Sequence, residues 1–164
     1  MNLLEQMSLE QAQQLPGVLL WHTSKLWQQW LNKALKPYNL SSTNAVILVN
    51  LLHLSFEQKQ ITQVAVARLS GTDMMTTSTI LRTLERKGFI QRTASTHDKR
   101  ANQLALTPLG QDVAYRALQT IAHTHQTFFK AIEGGRAEAF VDSLKELLRC
   151  NGESNNKAKG DQKK

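Results

Sequence analysis

TQVAVARLSGTDMMTTSTILRTLERKGFIQR, residues 62–92, is the stretch on which the fold turns. Thr62 stands where an N-cap belongs, and a helix of about 62–69 follows with Val66 and Leu69 on its inward side. Ser70-Gly71-Thr72 makes a short turn. Thr72 or Asp73 caps a second helix, about 74–87, which Gly88 ends. Ile80, Leu81 and Leu84 are spaced to share one face of it, and Thr77 lies on the same side. Two short helices joined by a turn containing Gly have the helix-turn-helix form.

Working downstream, Phe89-Ile90-Gln91-Arg92-Thr93 and Gln103-Leu104-Ala105-Leu106 read as two short strands around the polar stretch Ala94 to Asn102. A hairpin in that position is a wing. Thr107-Pro108 then opens a new helix, with Thr as N-cap and Pro where its missing N–H costs nothing. Upstream, Ser8 and Gln11 form a capping box for a short helix that Pro16-Gly17 ends. A long helix to about Leu35 carries Leu19, Leu20, Trp27, Trp30, Leu31 and Ala34 at three- and four-residue steps, which predicts more than one buried face. A helix of about 42–54, with Val46, Ile47, Leu48, Leu51 and Leu52, is the expected centre of the core. Two further helices, about 108–130 and 136–149, carry apolar stripes that a second copy of the chain would cover; packing on their own domain is the other solution. The fold class is thus mainly α (α+β), a winged helix-turn-helix with N- and C-terminal dimerisation helices. The expected division is a helical dimerisation region in 1–40 and 108–150, a winged helix-turn-helix in 41–107, and a tail in 151–164. Ala158 is the one apolar residue of that tail, so it is expected to be disordered.

Charge follows the same division. Of the 164 residues, 1–58 and 101–150 are each neutral, whereas 59–100 hold eight basic against three acidic side chains. The formal net charge is +7, and +5 of it lies in that middle segment. A basic patch of this kind is a footprint for a polyanion, or else merely a solvated surface. No apolar run approaches a membrane span, the N-terminus lacks the basic start of a signal peptide, and the single Cys150 permits no intrachain disulfide, all of which suits a cytoplasmic protein. There is no Walker, Rossmann, nucleophile-elbow or zinc-protease pattern, so neither catalysis nor a cofactor or metal is expected. His123 and His125 diverge on a helix, and His22 and His53 read as partly buried polar residues.

The outward side of the 74–87 helix shows Met75, Thr76, Ser78, Thr79, Arg82 and Arg86. Small hydroxyl residues near a helix N-terminus let a backbone approach DNA closely, bond phosphates or base edges, and offer methyls to thymine. Capping alone needs fewer of them. In the hairpin loop, Lys99 and Arg100 suit a minor groove or phosphates, and Asp98 suits either a turn or a partner for an Arg.

Ile61-Thr62-Gln63, Val66-Ala67, the run from Leu84 to Arg92, Asp98-Lys99-Arg100 and Leu106-Thr107-Pro108-Leu109-Gly110 together resemble the MarR family of bacterial regulators. That family carries Asp-x-Arg in its wing and Leu-Thr-x-x-Gly at the next helix. The resemblance implies a homodimeric, sequence-specific double-stranded DNA-binding regulator, commonly a repressor. Its recognition helix would fall on 74–87 and its wing on 91–104. It implies DNA contacts from Thr62, Gln63, Met75, Thr76, Ser78, Thr79, Arg82, Arg86, Asp98, Lys99 and Arg100, with Arg100 at the minor groove. It also implies release by a small aromatic, lipophilic or oxidising effector; Trp21, His22, Lys25 and Trp30 would form its wall and handles, unless they serve packing. Two departures bear on the DNA sequence read: the wing tip Ser95-Thr96-His97 and the apolar start Met74-Met75. Cys150, near a helix end, is expected to be an incidental thiol. The rival reading is a winged protein-interaction module that does not touch DNA.

Overall fold

Helix caps punctuate the chain much as its sequence predicts. The computed structural model describes residues 8–58, 60–94, 102–132 and 134–161. Its elements are α1 (Leu9–Gln13), α2 (Pro16–Leu35), a 3₁₀ turn (Lys36–Tyr38), α3 (Ser42–Glu57), α4 (Gln63–Ser70), α5 (Met74–Arg86), β1 (Ile90–Ala94), β2 (Asn102–Leu106), α6 (Pro108–Phe129) and α7 (Gly135–Asp161). The Ser8–Gln11 capping box is present in full, and Pro16 opens α2 in its first turn. Ser41, Thr62 and Asp73 each accept a backbone N–H three residues on, which starts α3, α4 and α5. The chain divides into two units, Met1–His125 and Gln126–Lys164, and α6 runs through the boundary. Among the described residues no helix is long and apolar enough to cross a membrane.

The core of the first unit is built around α3. Ala45, Ile47, Leu48, Leu51, Leu52 and Leu54 are all buried, and α3 packs against α2, α4, α5 and β2. Each fully buried Leu or Ile contributes about 1.5–3 kcal/mol. From α5, Thr77, Ile80, Leu81 and Leu84 enter this core. The turn between α4 and α5 depends on Gly71 at φ 62°, where a Cβ would be strained. Thr72 N–H then reaches back to Ala67 O at 3.1 Å and closes α4.

The two strands pair antiparallel, with Ile90 opposite Leu106 and Ala94 opposite Asn102. Ile61 adds a bridge to Leu104, so the hairpin is stitched to the entrance of α4. On its other side, Thr107 N–H donates to Phe89 O at 3.0 Å and Thr107 Oγ1 donates to Gly88 O at 2.6 Å. Thr107 Oγ1 also accepts from Gly110 N–H at 3.0 Å and so caps α6. The first turn of α6 lies directly on the Phe89 carbonyl: a Cβ at Gly110 would stand 1.7 Å from that oxygen.

In the second unit, Phe129 packs against Phe140, with ring centroids 6.3 Å apart. α7 runs from Gly135 to Asp161. Two expectations change. Leu69 is 46% exposed, and Val66 and Ala67 supply the inward face of the short α4. In α2 only Leu31 and Leu35 are buried; Leu19, Leu20 and Trp30 are exposed, so one face alone meets the core.

Gly110→Ala is expected to lower stability by about 2 kcal/mol or more, since the clash is with backbone that no rotamer change relieves. Urea unfolding followed by circular dichroism would measure it; an unchanged midpoint would contradict the close approach.

Candidate nucleic-acid interface

With Thr77, Ile80, Leu81 and Leu84 committed to the core, helical geometry fixes what α5 shows outward. At about 100° per residue, Met75, Thr79, Arg82 and Arg86 fall within roughly 60° of one another, opposite the buried face. All four are exposed, Met75 at 82%. Arg82, Arg86, Thr79 and Glu85 line a shallow open depression. Thr76 is also exposed, and Ser78 half-buried, at the flanks of the stripe.

The threonine hydroxyls of this helix are engaged within it or with the turn before it. Thr79 Oγ1 donates to Met75 O at 3.0 Å, and Thr83 Oγ1 donates to Thr79 O at 3.1 Å. Buried Thr77 donates to Asp73 O at 2.8 Å and shares a 2.7 Å hydrogen bond with Thr72 Oγ1, which ties the turn to the helix. Arg82 Nε turns back onto Ser78 O at 3.3 Å, and Arg86 reaches Thr83 Oγ1 at 3.2 Å. Both arginines keep exposed guanidinium groups whose weak internal bonds an anion would outcompete.

Asp73 caps the helix through two oxygens: Oδ1 accepts Thr76 N–H at 2.9 Å, and Oδ2 accepts Thr76 Oγ1 at 2.7 Å. The backbone bond first, and the hydroxyl bond second, hold its carboxyl below the ordinary carboxylate value.

The two residues expected at the start of α4 have structural tasks. Thr62 Oγ1 accepts Ala65 N–H at 3.2 Å as the cap. Gln63 Nε2 donates to Met74 O at 3.2 Å and so ties the starts of α4 and α5 together. Asp98, Lys99 and Arg100 lie outside the described residues. What the sequence reading missed is the anchoring of the wing: Arg92 Nε meets Glu85 Oε2 at 3.1 Å, joining β1 to α5. A half-exposed pair of this kind adds about 0–1 kcal/mol, so its effect is on orientation. Lys87 also donates to Asn39 O, fixing the end of α5 to the close of the 3₁₀ turn that precedes α3. Opposite charges either side of Gly88 were the available signal for the first pair; nothing local announces the second.

The candidate effector residues are only partly brought together. Lys25 Nζ sits 5.1 Å from the centre of the Trp21 ring, and His22 meets Trp21 edge-on at 4.8 Å. Trp30 lies nine residues from Trp21, about half a turn away around the helix. His22 and His53 are exposed rather than partly buried, and His53 pairs with Glu57 at 3.3 Å. Cys150 Sγ donates to Glu146 Oε1 at 3.2 Å, and that carboxylate pushes the thiol's pKa up, away from the reactive thiolate.

Comparison with known proteins agrees with this geometry. The profile of the MarR family matches residues 40–101. A protein of Bacillus subtilis (strain 168), the uncharacterized HTH-type transcriptional regulator YdcH, is 36% identical over 134 residues, spanning 82% of this chain and 90% of that one. Among solved structures, a mutant of E. coli MarR complexed with operator DNA superposes at TM-score 0.76 with 21% identity, over 87% of this chain and 99% of that one. Bordetella bronchiseptica BpsR, whose DNA binding is regulated by 6-hydroxynicotinic acid, superposes at 0.73 with 18% identity, over 82% and 94%. At those identities the structures show the shared winged-helix fold.

The Asp73 cap makes a pH prediction. Its folded pKa is depressed, so its contribution to stability is present above the unfolded carboxylate value and is lost as pH falls through the folded one. The stability advantage of the wild type over Asp73→Asn, measured by urea unfolding at a series of pH values, should therefore close in acid. A gap independent of pH would show that the charge on the cap is irrelevant.

Proposed function

The chain belongs to the MarR family, and on that premise we propose that it is a homodimeric repressor of a near-palindromic double-stranded DNA site, released by a small aromatic or lipophilic effector. It is an HTH-type, DNA-binding transcription regulator of that family, not an enzyme. The observation that supports DNA contact is the exposed stripe of α5, with two arginines one turn apart opposite a fully committed buried face.

In this reading Met75, Thr76, Ser78 and Thr79 face base edges in the major groove, and Arg82 and Arg86 contact bases or phosphates. Thr62 and Gln63 approach the backbone at the start of α4. Lys99 and Arg100 supply the wing's charge, and Asp98 orients an arginine. Two protomers present their α5 helices about one DNA turn apart, ~34–36 Å. Exposed apolar residues of α2, among them Leu19, Leu20 and Leu26, and of α7, among them Val141, Leu147 and Leu148, support the homodimer. The effector would bind beside Trp21, His22 and Lys25, and would act by binding the DNA-incompetent conformation more tightly. The behaviour stated for BpsR supports an effector of this class.

Exposed Met74 and Met75 favour a second reading, a winged domain that docks a protein. The family and the +5 charge of residues 59–100 weigh toward DNA.

Gel-shift titration against the DNA upstream of its own coding region should give a sequence-preferring complex whose affinity falls steeply with salt. Arg82→Ala or Arg86→Ala at a phosphate contact should reduce the log–log salt slope by about 1. Arg100→Ala should weaken specific and non-specific binding alike. Absence of any salt-sensitive complex would sink the DNA reading.

A further inference from the structure

The outward stripe of α5 is graded along its length. Met75 and Thr79 occupy its N-terminal half, and Arg82 and Arg86 its C-terminal half. In helix-turn-helix proteins the N-terminal residues of the second helix meet the base edges. Here that end is apolar. Met75 is 82% exposed and Met74 45%. Both threonine hydroxyls there are engaged as donors: Thr79 Oγ1 donates to Met75 O, and Thr76 Oγ1 donates to Asp73 Oδ2, while Ser78 Oγ, at the flank of the stripe, accepts from Arg82. Thr79 then offers a partner its γ-methyl and an oxygen that can only accept. The same end carries the Asp73 carboxylate, which disfavours an edge made of acceptors such as guanine N7 and O6.

We propose that Met75, supported by the Thr79 methyl, reads the C5-methyl group of thymine in each half-site, so that the base-specific part of recognition is apolar. This deepens the DNA-binding reading above and rests on it. The C5-methyl is the apolar group of the major groove. The thioether side chain is unbranched and polarizable, and adapts to such a surface. Burying it against a methyl leaves no donor or acceptor unsatisfied, whereas burying a hydroxyl already bonded within the helix would gain little. Arg82 and Arg86, about two and three turns after Met75, then hold phosphates or neighbouring purines and set the register.

The test uses the full-length chain and DNA sites that it selects from a random duplex pool. Each thymine of a selected site is replaced singly by deoxyuridine, which removes only the methyl. At one symmetry-related position per half-site, the change should weaken binding about fourfold, the value of one buried methyl. Met75→Ala should bind the thymine site roughly tenfold more weakly. Its penalty for deoxyuridine at that position should disappear, while Met75→Leu should retain it. Met75 is exposed, so both variants are expected to keep the wild-type melting temperature, which separates a lost contact from a lost fold. Tight, salt-sensitive and sequence-preferring binding that ignores every deoxyuridine replacement would overturn the methyl reading and leave the DNA reading standing. An undiminished penalty in Met75→Ala would also overturn it. Failure to select any DNA would remove both, and would turn the exposed methionines toward a protein partner.

Discussion

The burial of one face of α5 is the constraint from which the rest follows. Thr77, Ile80, Leu81 and Leu84 meet the core formed around α3, and with 13 residues the helix has no freedom to rotate around them. Thr77 adds direction to the apolar contacts. Its hydroxyl is fully buried yet satisfied by Thr72 and by the Asp73 carbonyl, so the same residue anchors the helix and closes the turn before it. Met75, Thr79, Arg82 and Arg86 are outward because these four are inward.

The hairpin illustrates the complementary problem. Two strands alone are marginal in water. Here they are held at both ends of the motif. Ile61 bridges to Leu104 at the entrance to α4, while Glu85 holds Arg92 at the exit from α5. Thr107 binds the Phe89 carbonyl, and Gly110 leaves room for it. The base of the wing is therefore rigidly referenced to the outward face of α5. That reference matters for any ligand that touches both, and the excess positive charge of residues 59–100 favours a polyanion.

Much of this was legible because it is local. The caps Ser8, Thr62 and Asp73, the turn at Gly71 and the strands around the wing all follow from residue types at short spacing. The exposed members of the α5 stripe followed from its buried ones by periodicity. Where the reading failed, the deciding contacts were distant or cumulative. Leu69 satisfies the helical pattern of α4 but finds no partner layer, so it stays exposed. Trp21 and Trp30 looked like one cluster in sequence and lie on different sides of α2.

The amino-acid sequence by itself determined the helix-turn-helix, the wing, the family and the concentration of charge, since each rests on neighbours within a few turns of chain. Only the tertiary structure decided why Leu106-Thr107-Pro108-Leu109-Gly110 has the form it does. That motif resembled the family's without revealing its task. Its threonine bonds the Phe89 carbonyl, and its glycine is required because that oxygen, brought there by the pairing of β1 with β2, occupies the space a Cβ would need. The tertiary structure likewise decided that Thr76 and Thr79 donate their hydroxyls to Asp73 and Met75, beside the exposed thioether of Met75.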